Sequence, residues 1–282
     1  VKTDNHQVLP LFNFAFCAIK NKNHPEKEKS FDEFLRELAA LSMPEDWGGT
    51  TNPILNKYIH HTFKRLKSEY DSNSSDNKQR IIKTTDKFAC FNTGLFTQGY
   101  QPIFALFEKN YNATESYHKP WYLRGFVDES NNRLIVFGSD LPERASYFSD
   151  IGDLIFDYRL EIRANLEHIL ADDENLQRVP TGLQDGSNRQ KLNTAFLGAL
   201  EIAKKRVTAN YKLAVPQFFN GSIQLLIPLH LMGEEKPDLA LAIKKQNGLY
   251  MGRTCLTLDM AYNNARLIAK PESDWLAPTQ HN

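Results

Sequence analysis

Four side chains capable of holding a ligand recur at helical spacing near the C-terminus. In Gly252-Arg-Thr-Cys-Leu-Thr-Leu-Asp-Met-Ala-Tyr-Asn-Asn-Ala-Arg266, an acid, a phenol, an amide and a guanidinium stand at Asp259, Tyr262, Asn263 and Arg266. At roughly 100° per residue they share about a third of a helix circumference. A strand running straight into that helix brings Arg253 to the same end. Hydrogen-bonding groups gathered at a strand end suit a ligand site, and the stripe itself does not identify the ligand. The purely structural alternative has Asp259 capping the helix or pairing with Arg266.

A second constellation lies in Asp157-Tyr-Arg-Leu-Glu-Ile-Arg-Ala-Asn-Leu-Glu-His-Ile-Leu170. Read as a helix spanning Ile151–Leu170, it buries Ile155, Tyr158, Ile162, Leu166, Ile169 and Leu170, with Asp157, Glu161, Asn165 and His168 on another face. Arg159 falls within the apolar arc, where an unpaired charge is costly, so it needs a carboxylate, a carbonyl fan or a phosphate. It is either a structural ion pair, an arginine snorkelling past the helix edge, or an anion contact, with Arg163 one turn on. Glu161, His168 and Asp259 are the candidates for acid–base work. Glu161 and His168 stand two turns apart, which suits two ends of one ligand better than a proton relay.

Phe91-Asn-Thr-Gly-Leu95 closes a strand with turn-forming residues, and Asn92 there can offer an amide to a phosphate or base edge, or serve only the turn. Cations cluster at Lys57–Lys67, at Lys78, Arg80 and Lys83, and between Arg189 and Lys212, where six basic residues face Glu201 alone. On helices such runs are most simply solvated faces or complements to the dipole; otherwise they contact a phosphate backbone, with Tyr58, Tyr211 or Tyr262 stacking on bases. No Gly-Lys-Ser/Thr P-loop, Gly-x-Ser-x-Gly elbow or His-Glu-x2-His zinc pattern occurs. These motifs support no metal site and leave the cofactor unknown, and an Asp/Glu magnesium site leaves little trace in a sequence.

The elements that must position these residues read as follows. Ser30 caps a helix over Phe31–Leu41, and Pro53 opens another that buries Leu55, Ile59, Phe63 and Leu66. The polar run from Ser68 to Lys78 reads as a mobile loop. Strands follow at Arg80–Thr84, Lys87–Phe91, Ile103–Phe107, Tyr122–Val127 and Arg133–Phe137. A helix over Arg189–Asn210 precedes hairpins centred on Asn220-Gly221 and Asn247-Gly248, whose residues favour the left-handed backbone of two-residue turns. Leu239, Leu241 and Ile243 alternate with Ala240 and Ala242, so that strand is apolar on both faces, as when helices cover it on both sides. The fold class is α+β, mostly antiparallel because hairpins dominate. A single domain over 1–282 is expected, with a helical region at 1–70 and the α+β core at 80–276.

At 282 residues, 41% hydrophobic and 24% charged, the chain has ordinary globular proportions. Its 34 Lys and Arg balance 34 Asp and Glu, so it is no electrostatic magnet for nucleic acid as a whole. Apolar runs are too short to span a bilayer. Three widely spaced cysteines argue for a reducing compartment, and the opening residues hold no apolar signal core, so a cytoplasmic chain is expected. A start at Val1 fits a processed or trimmed piece of something longer.

Several of these segments, together with Pro142-Glu-Arg-Ala-Ser-Tyr-Phe148 and Asn210-Tyr-Lys-Leu-Ala-Val-Pro-Gln217, resemble a bacterial family of unknown function often joined to OST-HTH (LOTUS-type) winged-helix modules, predicted RNA binders. The likeness extends over most of residues 10–276 and implies a domain whose partners act on RNA. The expectation is an RNA- or nucleotide-binding domain using Arg159, Arg163, Arg253 and Arg266 for phosphates and Asn92 and Asn263 for base or ribose contacts. The alternatives are a metal-dependent enzyme of RNA or nucleotide phosphoester metabolism, and a non-catalytic scaffold in which the arginines form structural ion pairs.

Overall fold

A computed structural model describes residues 9–18, 28–113, 119–165, 169, 173–184, 189–233 and 235–278. The chain divides into two compact units, one running up to Ser146 and the other from Tyr147 onward. Each is α+β and is built on its own five-stranded sheet, where the sequence pattern had suggested one. Hairpins explain the mostly antiparallel pairing, because short turns return the chain beside itself.

In the first unit the strands are β1 (Ala15–Phe16), β2 (Ile82–Thr84), β3 (Phe88–Phe96), β4 (Pro102–Lys109) and β5 (Trp121–Asp128), in the order β1-β5-β4-β3-β2. Helix α1 (Pro10–Phe14) precedes them, and α2 (Phe31–Leu41) starts with a reciprocal capping box between Ser30 and Glu33. Helix α3 (Pro53–Ser72) buries Leu55, Ile59, Phe63 and Leu66 completely. Phe63 packs on Phe91 of β3, 5.1 Å between ring centroids, and Phe91 on Phe107 of β4 at 5.7 Å. The opposite face of the sheet holds Cys90, Phe104 and Leu106 beneath Leu134 and Phe137.

Two expectations fail in this unit. Residues 68–78 are not a loop: α3 continues to Ser72 and α4 (Ser75–Ile81) follows. An established helix adds polar residues cheaply once nucleated, and the side chains of Ser72 and Asn73 bond back to the carbonyls of Ser68 and Glu69. Asn132–Phe137 is a 3-10 helix rather than a strand. The Asn131 side chain accepts from the Arg133 amide and Gly138 ends the helix at φ 75°. A three-residue turn then buries Leu134 and Phe137 and leaves Ile135 and Val136 in water.

In the second unit the strands are β6 (Ile162–Arg163), β7 (Val215–Phe219), β8 (Ser222–Leu229), β9 (Leu239–Gln246) and β10 (Leu249–Leu256), in the order β6-β10-β9-β8-β7. Asn220-Gly221 and Asn247-Gly248 both have positive φ, as their hairpins require. The helices are α5 (Asp173–Arg178), α6 (Arg189–Ala209) and α7 (Leu258–Arg266). Leu239, Leu241 and Ile243 share one core with Phe196, Leu200 and Val207 of α6. Ala240 and Ala242, equally buried, face the other way, and α7 packs on β7, β9 and β10.

The expected helix over Ile151–Leu170 does not form over its first half. Ile151–Leu154 is one 3-10 turn, the chain bends at Tyr158–Leu160, and Ile162 and Arg163 enter the sheet as β6, parallel to β10. Two aspartates compete with the helix: Asp150 accepts from Gly152 N–H at 2.8 Å and Asp157 from Arg159 N–H at 3.1 Å. Tertiary partners complete the override. Phe156 stacks on Tyr250 at 5.1 Å, and the Tyr250 hydroxyl accepts the Asp157 amide at 2.9 Å.

Candidate functional site

The bend that replaces the helix shapes a hollow of about 470 Å³ in the second unit. Ile155, Phe156, Tyr158 and Arg159 line it from the bend, Tyr211 from the turn after α6, and Lys245 from the end of β9. Tyr158 and Tyr211 are 63% and 48% exposed. Arg159 grips Asp157 with two bonds, Nε to Oδ1 at 2.8 Å and Nη2 to Oδ2 at 2.9 Å. That fork holds the Asp157 carboxyl down to about 2, helped at longer range by Lys245. One carboxylate and two cations therefore leave a net positive charge beside two exposed rings.

Arg159 was expected within an apolar arc, but its side chain is 75% exposed. The charge costs little because the residue sits on a bend in water and needs no buried partner. Arg163, on β6, donates Nε and Nη2 to Glu161 Oε2 at 3.0 and 2.7 Å, on an exposed edge. Glu161 is consequently held below the ordinary carboxylate range by those bonds, which keeps it ionised rather than available as an acid. His168 lies outside the described residues.

The C-terminal stripe splits. Tyr262 is buried with Ala261 and Ala265 against the sheet, so its ring is packing and offers no stacking face. Asp259, Asn263 and Arg266 flank it, half-buried. Thr257 caps the helix, accepting from Met260 N–H at 3.3 Å, and Asn263 Nδ2 donates to the Asp259 carbonyl at 2.7 Å. The register of β9 and β10 shifts between Gly252 and Thr254, leaving Arg253 exposed on the bulge, where it donates to Gln246. The lining of the hollow includes Arg159 but none of Arg163, Arg253, Tyr262, Asn263 or Arg266.

Asn92 belongs to the first unit. Its segment is a bulge within β3 rather than a turn at the strand end, with the register shifting between Asn92 and Phe96. Gly94 takes φ 76° and donates to Asn92 Oδ1, Thr93 Oγ1 donates to the Ile103 carbonyl, and the Tyr58 hydroxyl donates to the Thr93 carbonyl at 2.9 Å. Bulge chemistry thus accounts for the Asn-Thr-Gly run. The Asn92 side chain nonetheless lines a second hollow, of about 760 Å³, together with Arg80 and Lys83.

Sequence reasoning missed Tyr158 and Lys245 as lining of the smaller hollow because their local patterns read as a helix face and the end of a covered strand. Cys17, Cys90 and Cys255 are buried, which pushes each thiol up to about 12 and leaves them unreactive packing. Among the described residues no three His, Cys, Asp or Glu side chains gather as metal ligands, and no helix is long and apolar enough to cross a membrane.

No curated protein and no solved structure matches the chain. Residues 38–275, a span running through both units, match the family described as a domain of unknown function, DUF3825, and the chain belongs to that family.

Proposed function

We propose that the chain binds single-stranded RNA or a nucleotide at the hollow formed by Tyr158, Arg159, Tyr211 and Lys245. One observation carries the reading: two exposed tyrosines stand beside two cations around a concave site of ligand size. Bases stack on such rings for about 1–3 kcal/mol each without regard to sequence, and the cations meet the phosphates. The Arg159 guanidinium is exposed although Asp157 is half-buried, so an incoming phosphate reaches the arginine from the solvent side without first breaking the pair. The arginine also keeps Nη1 for that contact while Asp157 occupies Nε and Nη2. The resemblance to a bacterial family often joined to OST-HTH modules, predicted RNA binders, favours RNA as the ligand, and a cytoplasmic setting is part of the same proposal.

The test is fluorescence anisotropy with a labelled RNA of about ten nucleotides at low salt, with mononucleotides as competitors. Tyr211→Ala and Tyr158→Ala should each weaken binding roughly 5- to 150-fold. Lys245→Ala should flatten the salt dependence by about 0.7 in logarithmic slope. Unchanged binding in folded Tyr211→Ala and Lys245→Ala proteins would refute the reading.

A further inference from the structure

The larger hollow, in the first unit, combines charges in a way the proposed RNA site does not. It lies on the sheet face that carries Cys90, Phe104 and Leu106, since Lys83 pairs across to Cys90 and Asn92 to Phe104. One wall is the strap Ser139–Glu143, tied down at three points. Lys83 Nζ donates to the Asp140 carbonyl, Asn92 Nδ2 donates to the Pro142 carbonyl at 3.3 Å, and Glu143 N–H donates to the Arg80 carbonyl at 2.7 Å. The cavity is therefore preformed rather than a gap under a loose loop.

Its charges sort by position. Arg80 and Glu143 pair with each other at an exposed rim. Lys83, half-buried, spends its bond on a backbone carbonyl, which leaves its positive charge uncompensated by that contact. Glu129, just after β5, and Asp140, on the strap, bring carboxylates to the same lining. Half-buried Pro102 and Leu141 add apolar surface to the same lining. A simple anion would meet Glu129 and Asp140, and a simple cation would meet Lys83 and Arg80. A molecule carrying both charges beside an apolar group satisfies every wall.

We propose that this hollow binds a small zwitterion of the amino-acid class. Its carboxylate meets Lys83 and the second Asn92 N–H, its ammonium meets Glu129 and Asp140, and its side chain lies on Pro102 and Leu141. At about 760 Å³ the space exceeds one amino acid, so larger apolar side chains should bind better than small ones.

The test is a two-dimensional NMR titration of the whole chain with phenylalanine. Phenethylamine, which lacks the carboxylate, and 3-phenylpropanoate, which lacks the ammonium, serve as controls. Saturable shifts confined to this hollow are expected for the amino acid, with both controls at least about tenfold weaker, as loss of one charged hydrogen-bonded contact implies. Glu129→Gln, which leaves all three tethers of the strap in place, should weaken the amino acid by a similar factor and leave 3-phenylpropanoate unaffected. Lys83→Met should abolish binding, and intact strap shifts in the free variant will show that the cavity persists. Absence of saturation into the millimolar range, or equal binding of either control, overturns the proposal. Tyr211→Ala should bind the amino acid normally, so this inference and the RNA reading fail independently.

Discussion

His60 should make the first unit lose stability below neutral pH. It lies on α3 and is 6% exposed, with its ring against Phe12 (centroids 4.6 Å apart) and Phe31 (5.4 Å), and its buried Nδ1 lacks a partner among the described residues. Burial first, and the adjacent His61 second, lower its pKa from 6.5 to about 4. The folded state thus holds a neutral imidazole, whereas the unfolded chain takes up a proton near 6.5. Its share of stability is complete above that value and drains as pH falls toward 4. Linkage over this interval gives a loss of about 2 kcal/mol by pH 5 and about 3 kcal/mol by pH 4. His61 is shifted the same way, chiefly by partial desolvation, while half-buried Glu69, whose pKa is raised, acts in the opposite sense. Native-state hydrogen exchange at α3 amides, corrected for intrinsic rates, measures the effect at pH 7 and pH 5. In His60→Gln the pH-dependent part of the loss should shrink by about 2 kcal/mol, even if the variant is less stable overall. An unchanged pH dependence would mean that the imidazole is protonated in the folded protein and that the reasoning is wrong.

Other expectations rest on single contacts. A Cβ on Gly252 would lie 2.8 Å from Ala164 Cβ and 3.2 Å from its Cα, so Gly252→Ala should destabilise the second unit by about 1–3 kcal/mol in urea unfolding. Ala164→Gly should recover part of that loss. Removing the Tyr58 hydroxyl strands the carbonyl of Thr93, a residue with no exposure, and Tyr58→Phe should cost about 1–3 kcal/mol by the same measurement. Tyr100 holds φ 60° at the tip of the β3–β4 hairpin while 74% exposed, so Tyr100→Gly should raise stability by about 1 kcal/mol. A lower melting temperature in Tyr100→Gly would show that the ring makes contacts that outweigh its backbone strain.

What the amino-acid order settled by itself is local. Asn220-Gly221 and Asn247-Gly248 prefer the left-handed backbone in any context, and Ser30 with Glu33 can cap a helix within one turn, so these were legible without a partner. Leu239 through Ile243 announced a strand covered on both faces because the alternation itself encodes two buried sides. The segment from Asp150 to Arg163 shows where such reading stops. Its apolar spacing fits a helix, but Asx turns at Asp150 and Asp157, pairing of Ile162 with Tyr250, and the distant Tyr250 hydroxyl all favour a bend and a short strand. That outcome moved Arg159 from a supposed interior to water and set Tyr158 beside Tyr211 and Lys245. Division into two sheets and the lining of both hollows are likewise tertiary. They depend on which strands find one another across long intervals of chain, and no local periodicity carries that information.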